Sequence, residues 1–124
     1  MPFMDFLERL DAKVTSLKSA LGPSQKIIAV GVGAPNANSR TGQIEHAPNL
    51  DWGDVIPLVE TIKEKFGLPV AIANDANAAA LGELQFGMGK GMQNFVVLTL
   101  GTGLGSGIIS NGELLLGEYG MAGE

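Results

Sequence analysis

The chain has no cysteine, which excludes a disulfide framework and any cysteine-ligated zinc built from its own residues. It has no apolar run near the roughly 18–20 residues that a membrane-spanning helix needs. Nor does the start, Met1-Pro2-Phe3-Met4-Asp5, place a basic stretch before an apolar one, so it does not read as a signal peptide. Basic charge is scarce: 8 Lys and Arg against 13 Asp and Glu give a net charge of −5. These cations are scattered, which argues against a nucleic-acid partner and against a basic membrane-surface helix. A soluble, cytoplasmic protein is the default expectation. What is abundant is glycine, 18 residues concentrated in the second half, within a chain that is 45% hydrophobic and able to form a core. A length of 124 residues suits one domain, or a small domain and the start of another.

Apolar periodicity organises the first half. Phe3, Phe6, Leu7, Leu10, Val14, Leu17 and Leu21 fall at helical spacing and predict an amphipathic helix over 3–21, stopped by Gly22-Pro23. Residues 26–33, Lys-Ile-Ile-Ala-Val-Gly-Val-Gly, form a continuous apolar run that predicts a strand buried on both faces. Residues 34–48 read as a loop, irregular or carrying a short hairpin. Val55, Val59, Ile62 and Phe66 make one stripe of a helix over 54–66, capped by Gly67. A strand at 68–73 and a helix at 76–86 follow. Beyond the flexible break at 87–91 the pattern changes to close strands near 93–100, 105–110 and 113–117, the last two joined by the hairpin signal Asn111-Gly112. Three short strands without a covering helix cannot bury both faces, so the chain reads as a piece of a longer protein.

Two features carry chemistry. Asn74-Asp75 stands between the strand Leu68–Ala73 and an alanine-rich helix, and Val96–Leu100 runs into Gly101-Thr102-Gly103-Leu104-Gly105-Ser106-Gly107. A carboxylate at the carboxyl end of a parallel strand lies where α/β sheets place ligands, and it can accept a hydroxyl proton. Glycines at a strand end can bring backbone N–H groups to phosphate oxygens. Each feature also has an ordinary structural explanation. Asn and Asp are both favoured helix N-caps, and alternating glycines serve tight turns that need positive φ. The two readings of Asn74-Asp75 are compatible if one residue caps and its neighbour faces the cleft. The glycine spacing fits neither the dinucleotide nor the P-loop pattern. Asn36 and Asn49 lie in loops where turn chemistry alone would explain them. His46 reads as exposed, Trp52 as a staple or core residue, and Glu124 has no local reading.

Five blocks in one order carry a wider likeness: Val30–Pro35, Ala47–Trp52, Val70–Glu83, Leu98–Ile108 and Gly120–Glu124. Together they resemble the ROK family of bacterial glucokinases, other hexose and N-acetylhexosamine kinases, and sugar-responsive repressors. The resemblance is nearest to the glucokinases. It implies an α/β fold of the actin-like ATPase, ribonuclease-H-like type, with a sugar in the cleft between two lobes. Residues 1–90 would be the sugar side of the small lobe and 91–124 the first strands of the large ATP-binding lobe. By similarity, Asp75 would be the general base that removes a proton from the attacking sugar hydroxyl. Asn36, Asn49, Asn74 and Glu124 would contact the sugar, and Gly101, Thr102, Gly103 and Gly105 the ATP phosphates. ATP and Mg2+ are the implied cofactors, a hexose and ATP the partners, and a homo-oligomer is compatible. The family's structural zinc site would lie outside this chain.

One departure stands out. Kinases of the family carry an Asp-x-Gly-Gly-Thr phosphate loop in an N-terminal hairpin, and no such sequence occurs here. The isolated 124 residues are therefore expected to be inactive. An intact Asn74-Asp75 with a phosphate-type loop favours a kinase over a repressor, which does not need both.

Overall fold

The computed structural model describes residues 1–123. It is a mixed α/β structure with three helices: α1 (Phe3–Ala20), α2 (Leu58–Phe66) and α3 (Asp75–Phe86). Its strands are β1 (Val30–Ala34), β2 (Ala37–Asn38), β3 (Gln43–Glu45), β4 (Val55–Ile56), β5 (Val70–Asn74), β6 (Phe95–Leu100), β7 (Leu104–Ser110) and β8 (Glu113–Leu114). Three small sheets result: parallel β1–β5, antiparallel β2–β3–β4, and antiparallel β6–β7–β8.

The first two sheets share a core of Leu7, Ala34, Ala37, Ile44, Ala47, Ile56, Leu58, Ile62 and Ile72. The apolar stripe of α1 reaches this core only through its first half. Phe3, Phe6 and Leu10 pack beside Leu7, whereas Leu17 is 60% exposed. Trp52 staples that end of the helix. Its ring centroid lies 5.2 Å from Phe3 and 4.9 Å from Phe6, and its Nε1 donates to the Met1 carbonyl at 3.0 Å. A Lys65–Asp11 ion pair at 3.5 Å joins α2 to α1.

Two local expectations change. The strand over 26–33 forms only from Val30, and its burial alternates instead of covering both faces; Ile28 is 70% exposed. Val30 and Val32 face the core, whereas Gly31 and Gly33 on the opposite face stay exposed. The helix over 54–66 begins at Leu58, because Val55-Ile56 extends the β2–β3 hairpin through the pairs Ile44↔Ile56 and Glu45↔Val55. Pro57 then stands at the helix N-cap, where its missing N–H matters little. Gly67 ends α2 as expected, in the left-handed region at φ 63°. Of the two alternatives for 34–48, the hairpin is what forms.

The helix α3 joins the two halves. One face packs on β7, where the chains approach so closely that only glycine fits. A Cβ at Gly107 would stand 2.5 Å from the Ala80 Cβ and 2.6 Å from the Ala76 carbonyl oxygen. Another face lies on β1, with Gly33 against Ala78. The outer face of β6 stays open, with Val96, Leu98 and Leu100 between 55% and 85% exposed.

Candidate functional site

Parallel pairing of β1 with β5 aligns Ala34 with Asn74, so both strands end at one level. Pro35-Asn36 and Asn74-Asp75 emerge there side by side, at the carboxyl ends where open α/β sheets bind ligands. The third sheet contributes the loop between β6 and β7. Together these segments line a cavity of about 410 Å³ formed by Pro35, Asn36, Asn49, Asn74, Asp75, Thr99 and Leu100 through Gly105.

Capping at α3 divides the labour of the Asn-Asp pair. Asn74 is the N-cap: its Oδ1 accepts from the N–H groups of Ala76 at 2.8 Å and Asn77 at 3.4 Å, and the residue is 8% exposed. Asp75 occupies the first helical position and is exposed at the cavity, with one carboxylate oxygen, Oδ1, 2.8 Å from the Ala76 N–H. A carboxylate at a helix N-terminus is electrostatically favourable.

Asn36 adopts φ 50°, a left-handed conformation that Gly and Asn tolerate best. Its Nδ2 donates to the carbonyls of Glu45 at 3.1 Å and His46 at 3.0 Å, so both amide protons are directed at the hairpin. Only its Oδ1 can then accept from a ligand. Asn49 lies exposed in a turn closed by the Leu50 N–H on the Ala47 carbonyl at 3.1 Å. His46 is exposed, 3.9 Å from Asp54, and outside the cavity.

The glycine run splits in two. Gly101 and Gly103 have nothing within 4 Å of where a Cβ would be, and neither has positive φ. They are open to the cavity. The Gly101 N–H donates to the Gly103 carbonyl at 3.0 Å, closing the loop on itself. Gly105 is tight: its Cβ would stand 2.7 Å from Thr99 Oγ1 and 3.1 Å from the Ala76 Cβ. It lines the cavity but is held by packing, as is Gly107. The turn reading that required positive φ is therefore not what this run does.

Eight of the nine residues singled out in the sequence line this one cavity; the ninth, Glu124, lies outside the described residues. Thr99 was not among them. A threonine inside a strand is so ordinary that nothing marked it. Among the described residues, Asp75 is the only carboxylate in the lining. Among the described residues no group of three or more His, Cys, Asp or Glu is placed to hold a metal ion, and no helix is long and apolar enough to cross a membrane.

A model of the ROK family matches residues 2–124. The chain belongs to the ROK family. Among curated relatives, the chain is 45% identical to a glucokinase of Streptomyces coelicolor over 118 residues, which are 92% of this chain and 37% of that protein. It is 42% identical to a xylose repressor of Caldicellulosiruptor bescii over 110 residues, covering 88% of this chain and 27% of the repressor. Among solved structures, it superposes on a ROK family glucokinase from Streptomyces griseus in complex with glucose and AMPPNP. That match has a TM-score of 0.77 and 38% identity, and spans 94% of this chain and 38% of that one. The chain thus spans little more than a third of the length of these glucokinases. Its ROK neighbours share the actin-like ATPase fold, and this chain has that fold class.

Proposed function

We propose that the full-length protein is an ATP-dependent hexose kinase, with glucose as its preferred acceptor and the 6-hydroxyl as the site of transfer. The observation that carries this reading is the meeting of Asp75 with the open loop Gly101–Gly103 across one cavity. Phosphoryl transfer asks mainly for positioning and charge stabilisation. Asp75 accepts the hydroxyl proton as the oxygen attacks the γ-phosphorus, and the bond to the leaving ADP oxygen breaks. Its exposure at the cavity leaves room for the acceptor, and its backbone sits on a capped helix end. Asn74, Asn49 and the Oδ1 of Asn36 hold sugar hydroxyls, whose mixed donor and acceptor character suits amides. Glu124 would add a carboxylate beside them. Thr102 and Gly103 offer N–H groups to the phosphates, since the Gly101 N–H is engaged within the loop.

One carboxylate beside a phosphate loop is what Mg2+ commonly uses when it arrives with a nucleotide, the remaining ligands being phosphate oxygens and water. When bound, it neutralises charge on the β- and γ-phosphates. Because Asp75 accepts the proton in this reading, the ion would be held by phosphate oxygens and water, with Asp75 reached only through a bound water.

A second reading is a sugar-sensing domain of a ROK repressor, supported by the 42% identity to the xylose repressor. An N-acetylhexosamine kinase differs from the first reading only in the acceptor. The deciding experiment is sugar-dependent ADP release by the full-length protein, run with glucose, mannose, fructose and their N-acetylated relatives. The hexose-kinase reading expects the highest kcat/KM for glucose. Tight sugar binding without ADP release would instead support the sensor. The 124 residues by themselves are expected to give no turnover.

A further inference from the structure

The tip of the β2–β3 hairpin is stiffened by its own side chains. Asn38 Oδ1 accepts the Arg40 N–H at 3.0 Å, and Asn38 Nδ2 donates to Glu45 Oε1 at 3.1 Å. Thr41 Oγ1 donates to the same carboxylate oxygen at 2.9 Å, and the Gly42 N–H donates to the Asn38 carbonyl at 2.9 Å. Arg40 projects from this tip across 77 positions of sequence. Its Nη2 donates to the Gly117 carbonyl at 3.0 Å and its Nη1 to the Glu118 carbonyl. A planar guanidinium suits two successive carbonyls, which a lysine ammonium cannot fork.

The segment that receives Arg40 forms a strap. Its base is closed by the Ala122 N–H on the Leu116 carbonyl at 3.1 Å. Its far end is tied to β7, where the N–H and Oγ of Ser106 donate to the Gly123 carbonyl at 3.1 and 2.7 Å. The strap is thus pinned once to the hairpin and once to the third sheet. Between the pins, Gly120 and Met121 face Asn36, Ala37 and Asn38 across a cavity of about 180 Å³. Asn36 lines this cavity and the main one alike.

We propose that Arg40 is a positioning residue for the sugar side of the cleft. It touches neither substrate nor reacting atoms; it holds the strap against the hairpin beside Asn36, and so sets the width of the hexose end. The nucleotide end, at Gly101–Gly103, is closed within the β6–β7 hairpin and does not depend on this pin. Removing Arg40 therefore weakens hexose recognition selectively. This assignment rests on the hexose-kinase reading.

The test uses the full-length protein as wild type, Arg40→Ala and Arg40→Lys, with two readouts. Amide hydrogen exchange over 117–123 should speed up by about tenfold in Arg40→Ala, with β1 and β5 unchanged. The KM for hexose should rise about tenfold, while kcat and the KM for ATP stay within about twofold. Arg40→Lys should recover part of both losses. Unchanged exchange in Arg40→Ala would overturn the assignment, as would faster exchange with an unchanged hexose KM, or equal effects on hexose and ATP. If the wild type turns over no hexose, the kinase reading fails separately, and hexose affinity by calorimetry replaces KM with the same expected factor. A wild type that binds no hexose overturns both.

Discussion

Gly101 and Gly103 stand in open space, whereas Gly105 and Gly107 are pressed against α3. All four belong to one Gly-x-Gly repeat, and the repeat looks uniform in sequence. The period of two on a strand puts Gly105 and Gly107 on the same face, alongside Thr99 and Val97 through the pairs Thr99↔Gly105 and Val97↔Gly107. At Gly107 that face meets Ala80 and the Ala76 backbone too closely for any side chain, and at Gly105 a Cβ would crowd Thr99 Oγ1 and stand 3.1 Å from the Ala76 Cβ. Gly101 and Gly103 begin and end the turn between β6 and β7, where no neighbouring atom lies within 4 Å of where a Cβ would be. One run of residues thus does two jobs. The packed pair sets α3, and with it Asp75, against the third sheet; the open pair leaves the loop accessible beside it. Through this packing the Asp75 carboxylate and the open glycine loop line one cavity.

Substitutions can break this comparison from either side. The largest expected effect lies at Asp75, the residue the packing serves: Asp75→Asn should lower turnover by about a thousandfold. Next, Gly107→Ala should destabilise the fold by about 2–3 kcal/mol, because its Cβ would meet helix backbone and cannot be accommodated by a side-chain shift. The denaturant midpoint, at unchanged slope, reads this. Asn74→Ala removes the cap of α3 and should lose about 1 kcal/mol by the same measurement. Smallest in stability is Gly101→Ala, within about 0.5 kcal/mol of wild type, yet it should raise the KM for ATP several-fold. If Gly101→Ala and Gly107→Ala changed stability equally, the division between open and packed glycines would be wrong.

Much of this arrangement was legible in the residues. The first half of the α1 stripe, the cap Gly67, the strand that leads into Asn74-Asp75 and the Asn111-Gly112 turn all follow local rules, and the structure has them. The Asn-Asp pair could be read as cap plus cleft residue because N-cap chemistry is local too. Other features depended on partners far away in sequence. Whether β1 is covered on both faces depends on the layers packed above and below it, and the core covers the face of Val30 and Val32. Val55 reads as helical by spacing, yet Glu45 draws it into a sheet. The split of the glycine run depends on where α3 lies, and Arg40 meets carbonyls of residues 117 and 118 that no local pattern pairs with it.

The account turns on Asp75 acting in chemistry rather than in binding. The most direct test is a paired measurement on full-length wild type and Asp75→Asn, with glucose affinity by calorimetry and turnover by ADP release with Mg-ATP. The account predicts affinity within about threefold of wild type and turnover lower by about a thousandfold. Undiminished turnover in Asp75→Asn would contradict it.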